Sequence, residues 1–245
     1  MRSFFCAAAA LALLAAPAAA QSSRPGPAAL VNFGYQARSQ DFTQFGEFPL
    51  YAGTTTFEVP HSLEGAPFFE LGGSIGIFRN FSVGASYARR STKNRDAQVT
   101  ARVPSPVSLI TFRDATANAS GLEHKEGAFH LQAIWHVPIT VEFDVAMFAG
   151  PSFFNAKHDL IENVEVAEVG GDFSQVNLGV NRSTVSETVV GFNVGIDGRY
   201  MVTGNIGAGA TIRFTRGKGD FTAGGQTLEI NTGGFEVAAG LRFKF

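Results

Sequence analysis

Apolar and polar residues alternate along most of this chain, and the alternation is clearest at its end. Between residues 235 and 245 the odd positions are all apolar: Phe235, Val237, Ala239, Leu241, Phe243 and Phe245. The even positions are small or charged: Glu236, Ala238, Gly240, Arg242 and Lys244. A period of two indicates a β-strand with one apolar and one polar face. The chain therefore ends in a strand, whereas most chain termini are polar and frayed.

The same period recurs in seven earlier segments, so the sequence predicts eight strands. They are centred on residues 31–37, 69–77, 81–90, 124–136, 141–153, 187–200, 206–214 and 235–245. Residues 159–169 are the one stretch that also fits a helical period, and they fit alternation equally well. The predicted fold class is all-β, an eight-stranded antiparallel up-and-down barrel.

Short and long connections alternate between the predicted strands. Tight reversals are expected at Arg79 and Asn80, at Pro138, and at residues 203–205. Four long excursions are predicted as outward loops: residues 41–65, 91–123, 156–183 and 216–228. For residues 41–65, an extension of the first strand and a hairpin above a membrane both stay open. Short turns on one side and long loops on the other are typical of outer-membrane barrels, where the short turns face the periplasm.

The N-terminus predicts export. Arg2, an apolar run and a small-residue site ending at Ala20 indicate a cleaved secretory signal peptide over residues 1–20. Residues 21–27 are rich in Pro and Gly and predict a disordered lead-in, so the barrel domain would span residues 28–245. Cys6 lies in the signal peptide, so we expect no disulfide in the mature chain.

Charged residues decide which face of the predicted barrel points inward. They recur in mid-strand beside many glycines, and an eight-stranded barrel has an interior just wide enough to be filled by side chains. The predicted lumen network comprises Glu70, Glu142, Asp144, Asp197, Arg199, Arg213, Glu236, Arg242 and Lys244. The opposite face carries aromatics near strand ends, namely Tyr35, Phe78, Phe81, Tyr87, Trp135, Tyr200 and Phe245, as a membrane-interface girdle would. A soluble lipocalin-like barrel explains the alternation but neither the girdle nor the loop asymmetry.

The last strand resembles the C-terminal recognition signal of outer-membrane barrels. Gly240, Phe243 and the final Phe245 match that signal, although Ala238 stands where a polar residue is usual. The whole mature chain resembles small bacterial outer-membrane β-barrel proteins of the OmpA-transmembrane, OmpX and OmpW kind, and the uncharacterised outer-membrane beta-barrel domain family. The resemblance implies a location in the outer membrane and contact with its lipid and lipopolysaccharide. It also implies recognition of the C-terminal strand by the barrel-assembly machinery.

Candidate chemistry is sparse, and we expect no catalytic residue, cofactor or metal. His124, His130 and His136 lie six apart on one strand, a spacing of about 20 Å that prevents any two from sharing an ion. His61 with Ser62, and His158 with Asp159, are sequence neighbours, and neighbours on a strand point to opposite faces. His124, His130 and His136 are therefore interpreted as hydrogen-bonded polar residues of the lumen.

The functional expectation is a structural or surface-interaction role through the outward loops, with an unknown ligand. A narrow channel and a lipid-A-modifying or other outer-membrane enzyme are the alternatives. Residues 103–112 and the Phe-rich first excursion are candidate surfaces for adding a strand to a partner. Without Arg2, 18 basic residues face 21 acidic ones, which argues against nucleic acid as a partner.

Overall fold

The computed structural model describes residues 25–171 and 173–245, and these form a closed antiparallel barrel. Eight strands pair in chain order, and the last pairs with the first. The strands are β1 Ala28–Leu50, β2 Gly53–Phe78, β3 Phe81–Ser105, β4 Ser108–Pro138, β5 Phe143–Val169, β6 Gln175–Met201, β7 Ile206–Ala223 and β8 Gln226–Lys244. The predicted eight-stranded barrel is confirmed. The predicted signal peptide, and residues 21–24 of the predicted lead-in, lie outside the described residues.

The strands are much longer than a bilayer requires. They contain between 18 and 31 residues, whereas about 9–11 residues suffice to cross a membrane. The expected short turns are confirmed at one end of the barrel, at residues 79–80, 139–142 and 202–205. The four excursions predicted as loops are instead strand pairs whose first strands end at Leu50, Ser105, Val169 and Ala223. Residues 41–65 extend β1 to Leu50 and return along β2 as a hairpin, so both alternatives left open for this segment apply.

A band of apolar side chains surrounds the half of the barrel that carries the short turns. Phe33, Ile75, Val190 and Leu241 point outward and are 68%, 55%, 64% and 51% exposed. At the short-turn rim, Phe81 stacks on Trp135 with ring centroids 6.4 Å apart, as expected for an interfacial girdle. Because the apolar stripes face outward, the soluble-barrel alternative fails. No helix within the described residues has the length and apolar character needed to span a membrane.

Beyond this band the four hairpins project as a collar, which we define as residues 41–65, 91–123, 156–183 and 216–228. Here many apolar side chains point inward, among them Val59, Val99 and Val164. On β3 the inward positions are even up to Arg90 and odd from Ala97 onward. Register shifts lie between those positions, and a one-residue bulge moves a strand's side chains to the opposite face. On β4 the inward-facing side chains change from odd to even positions at Gly121. The φ of 71° at this residue is readily adopted only by glycine.

The collar is held together mainly by packing. Ladder pairing between neighbouring hairpins ends at His124 with His158, at Gly191 with Gly217 and at Ala37 with Phe235. Only β2 and β3, among the described residues, pair again within the collar, at residues 56–58 with residues 100–102. Two apolar clusters fill the space between the hairpins in the described residues. One contains Phe57, Val59, Val99, Val103, Leu122, Ile161 and Val164, and the other contains Leu63, Phe154, Leu160, Val189, Phe221 and Ile230. The mouth of the barrel at the hairpin end is therefore covered by the protein's own side chains.

Candidate functional site

The centre of the lumen is organised around Arg213, which is only 2% exposed. Its Nη1 donates to Glu70 Oε1 at 2.6 Å, and its Nε donates to Glu236 Oε2 at 2.7 Å. β7 positions the arginine, while β2 and β8 position the two carboxylates. Because all three side chains are buried, each charge has lost its hydration. The ion pairs with the other two side chains compensate for that loss.

A second ionic centre lies nearer the short turns. Arg242 Nη2 and Nε donate to the two Asp197 oxygens at 2.5 and 3.1 Å, and Thr211 donates to Asp197 Oδ1 at 2.7 Å. Asn32 joins this centre to the first one. Its oxygen accepts from Arg242 at 2.7 Å and its amide donates to Glu70 Oε2 at 2.9 Å. The two centres thus form one continuous polar network across the barrel.

The short-turn rim holds a third group of charges. Asp144 accepts from Arg199 Nε at 2.6 Å and from Lys244 Nζ at 3.3 Å. Arg199 also contacts the His136 ring, whose Nε2 lies 2.8 Å from Ser82 Oγ. Glu142, one of the nine predicted lumen residues, does not face the lumen. It is exposed in the turn after β4 and accepts from Thr140 Oγ1 at 3.3 Å, because β5 begins only at residue 143.

Two further ionic residues belong to the network and were not among the predicted set. Arg90 Nη2 lies 2.9 Å from Glu126 Oε1, and its Nη1 lies 3.2 Å from Glu236 Oε1. Arg90 and Glu126 are direct cross-strand partners on β3 and β4. Both lie on the polar face that alternation identified, but the sequence alone gives no strand register with which to pair them.

Together these ions close the lumen. Glu70, Arg90, Glu126, Arg213 and Glu236 are each at most 3% exposed and lie between two separate cavities. The cavity on the short-turn side has a volume of about 40 Å³ and is lined by Asn32, Asp197 and Arg242, among others. The cavity on the collar side has a volume of about 330 Å³ and is lined by residues that include His61, His124 and His158. We refer to the five ionic residues as the plug.

The residues of the predicted assembly signal lie on the seam between β8 and β1. Gly240 approaches β1 so closely that a Cβ there would lie 1.8 Å from the Val31 carbonyl oxygen. Phe245 is 77% exposed, and its backbone nitrogen donates to the Pro27 oxygen at 2.9 Å. Phe243 faces Ala29 on β1 and Ile206 on β7. The recognition role of these residues stays a prediction.

The histidines divide between the lumen and the collar. His130 Nδ1 lies 2.7 Å from Ser152 Oγ, so His130 is hydrogen-bonded inside the barrel, as is His136. His61 is buried while Ser62 is exposed, in agreement with the expectation that neighbours on a strand point apart. The sequence did not reveal that His124 on β4 is the cross-strand partner of His158 on β5.

The far end of the collar carries one polar cluster. Glu168 accepts from Arg113 Nη1 at 2.5 Å and Nη2 at 2.9 Å, and from the Tyr51 hydroxyl at 2.5 Å. Hydrogen bonding to Arg113 lowers the pKa of Glu168 below its ordinary 4.5. The hydrogen bond to Glu168 raises the pKa of Tyr51 above its ordinary 10.0, since the hydroxyl proton is shared with an anion. This cluster ties together three hairpin ends.

Comparisons with known proteins give a consistent picture of the fold. A family model described as outer membrane protein beta-barrel domain matches residues 6–243. Outer membrane protein OprG from Pseudomonas aeruginosa is 10% identical with a TM-score of 0.52, over 91% of this chain and 98% of that one. Neisserial surface protein A is 16% identical with a TM-score of 0.46, over 91% and 99%.

A third solved structure is the outer membrane protease OmpT from Escherichia coli. It is 12% identical with a TM-score of 0.48, and the match covers 93% of this chain and 99% of that one. No curated protein sequence matches the chain significantly. At these identities the structural likeness concerns the fold alone.

Proposed function

Because the chain belongs to the outer membrane protein beta-barrel domain family, we propose that it is a non-enzymatic barrel that acts at the cell surface through its collar. It lies in the bacterial outer membrane, where the apolar band contacts lipid and lipopolysaccharide. The barrel serves as a rigid base, and the hairpins are the parts that reach the medium. The ligand or partner protein is one that these hairpin ends recognise.

The plug is the observation that carries this proposal. Solutes crossing the barrel would have to break the Arg213 pairs with Glu70 and Glu236, which costs several kcal/mol for buried ions. A lumen filled in this way supports a surface role over a channel. In the collar, His61 and Ser62 face opposite sides of β2, so they are not arranged as a hydrolase pair.

The β3–β4 hairpin end is the surface that we assign to recognition. Val107 and Ile110 are 72% and 89% exposed there, far from the apolar band that contacts lipid. Phe112 is also exposed and lies under the Arg102 guanidinium, 4.7 Å from its ring centroid. Large apolar side chains held at an exposed hairpin end are typical of contact residues, since their exposure to water is unfavourable until a partner covers them.

Surface display tests this assignment. Cells producing the native protein are compared with cells producing the Val107→Ser, Ile110→Ser double variant for attachment to surfaces and to each other. We expect attachment to fall in the double variant while the amount of folded barrel is unchanged. Thr54→Ala, a change at an exposed position beside the β1–β2 turn, is the matched control and should attach like the native protein. Equal attachment of all three would contradict the proposal.

A further inference from the structure

His124 and His158 form the last cross-strand pair before β4 and β5 separate into their hairpins. Their Nδ1 atoms face each other 3.0 Å apart, and their ring centroids are 4.1 Å apart. The side chains are 5% and 3% exposed. Two buried imidazoles with converging nitrogens are unusual in a core, because only one of the facing nitrogens can carry the shared proton.

The two Nδ1 atoms could bind a metal ion instead of sharing a proton. Imidazole nitrogens bind zinc at about 2.0–2.1 Å, so two nitrogens 3.0 Å apart can both reach one ion that lies between them and to one side. Imidazole ligands suit zinc, copper and nickel, whereas calcium and magnesium require oxygen ligands. The donor set therefore selects a divalent transition metal.

The surroundings hold the two rings in this orientation. Phe221 packs its ring edge-on against His158, with centroids 4.8 Å apart. Glu126 Oε2 lies 3.6 Å from His124 Nε2, so a carboxylate faces the outer side of that ring, as is common for metal-binding histidines. The cavity of about 330 Å³ reaches both rings, which leaves space for the water molecules or small ligands that complete a coordination shell.

We propose that His124 and His158 are a cross-strand binding site for a divalent transition metal of the zinc and copper group, at the base of the collar. In the part of the chain that the structure describes, no cluster of three or more His, Cys, Asp or Glu side chains is arranged to hold an ion. Two protein nitrogens and exchangeable ligands therefore hold the metal. This site is independent of the recognition surface at the β3–β4 hairpin end.

The test uses the full mature chain without a histidine tag, folded in detergent, and titrated with zinc chloride in a calorimeter. We expect one saturable site per chain in the native protein, and at least about a tenfold loss of affinity in His124→Ala and in His158→Ala, because one nitrogen remains. Magnesium chloride should show no binding. His61→Ala, which lines the same cavity, is the matched control and should retain native affinity.

Copper provides a second measurement that does not depend on how the variants fold. The electron paramagnetic resonance spectrum of one equivalent of bound Cu²⁺ should show coupling to two imidazole nitrogens in the native protein. Native chain that binds neither metal saturably, or a spectrum without imidazole coupling, would overturn the proposal and leave His124 and His158 as a hydrogen-bonded pair. Native affinity in a folded His158→Ala variant would overturn it as well.

Discussion

Arg213 donates from Nη1 to Glu70 Oε1 at 2.6 Å, although 143 residues separate them along the chain. The contact spans the barrel from β7 to β2, which are not adjacent strands. Closure of the barrel is therefore what brings the two charges together, and the pair exists only when the whole ring has formed. A barrel with the wrong strand register would bury these charges without partners, and it would therefore be less stable than the native barrel.

Arg213→Leu should strongly destabilise the barrel. The substitution leaves the Glu70 and Glu236 carboxylates buried without their shared cation, and breaking a buried ion pair in this way costs about 3–5 kcal/mol. Urea unfolding in lipid vesicles, followed by tryptophan fluorescence, measures the loss. Arg216→Leu is the control, because Arg216 lies on the same strand but is exposed. An unfolding midpoint equal to that of the control would show that the inward pairs do not stabilise the barrel.

Planar bilayers test whether the plug closes the lumen. We expect the native protein to give no discrete conductance steps, because the charged side chains of the plug are buried and lie between the two cavities. Heat-denatured protein, added at the same concentration, controls for leakage caused by detergent. Reproducible steps of one size from the native protein would establish the channel alternative instead.

The membrane-spanning part of the fold could be predicted from the sequence because two independent patterns agree there. Alternation places residues such as Leu131 outward and Gln132 inward, and tight turns such as Arg79 with Asn80 fix the antiparallel order. Lipid imposes this regularity, since every backbone group must find a partner within the barrel. Glu142 was wrongly predicted to face the lumen because the alternating pattern continues through it, and the sequence does not show that β5 begins only at the next residue.

The collar could not be predicted in the same way. Its strands change their inward face at bulges, as between Arg90 and Ala97, so the period of two is interrupted and the segments resemble loops. The contact between His124 and His158 also depends on register, which no single strand encodes. Sequence spacing along one strand correctly separated His124 from His130 but gave no information about the strand opposite.

Phe245→Ser tests the predicted assembly signal. The Phe245 side chain is 77% exposed and contributes little to packing, so the variant should refold in detergent as well as the native protein does. In cells we expect less of it in the outer membrane, because the assembly machinery would no longer recognise the terminus. The heat-dependent shift of the folded barrel on a denaturing gel measures both quantities. Equal amounts in cells would contradict a recognition role for Phe245.

The apolar core of the collar can be tested with two adjacent residues on β3. Val99 is fully buried in the apolar cluster that also contains Phe57 and Ile161, whereas Gln98 points outward. Val99→Asp should separate the hairpins, because an unpaired buried carboxylate costs at least about 1–3 kcal/mol. External protease should then cleave the collar faster, while the membrane-spanning strands stay protected. Gln98→Asp adds the same charge at the surface and should be cleaved at the native rate; equal cleavage of both variants would contradict a packed core.

The cluster of Tyr51, Arg113 and Glu168 predicts how the hairpin ends respond to pH. The lowered pKa of Glu168 means that its contribution to stability is present above pH 4.5 and is lost as the pH falls through its folded pKa. The raised pKa of Tyr51 means that its contribution is present below pH 10.0 and is lost as the pH rises through its folded pKa. The three hairpin ends should therefore be held together most firmly between those two limits.

Phenolate absorbance measures this coupling directly. Subtracting the titration of Tyr51→Phe from that of the native protein isolates Tyr51, whose pKa should lie above 10.0. In Glu168→Gln the hydrogen-bond acceptor loses its charge, so the pKa of Tyr51 should fall back toward its ordinary value. Glu165→Gln is the control, because Glu165 lies three residues away on the same strand and bonds Asn181 instead. A Tyr51 pKa that is the same in Glu168→Gln as in the native protein would show that the contact between the hairpin ends does not form.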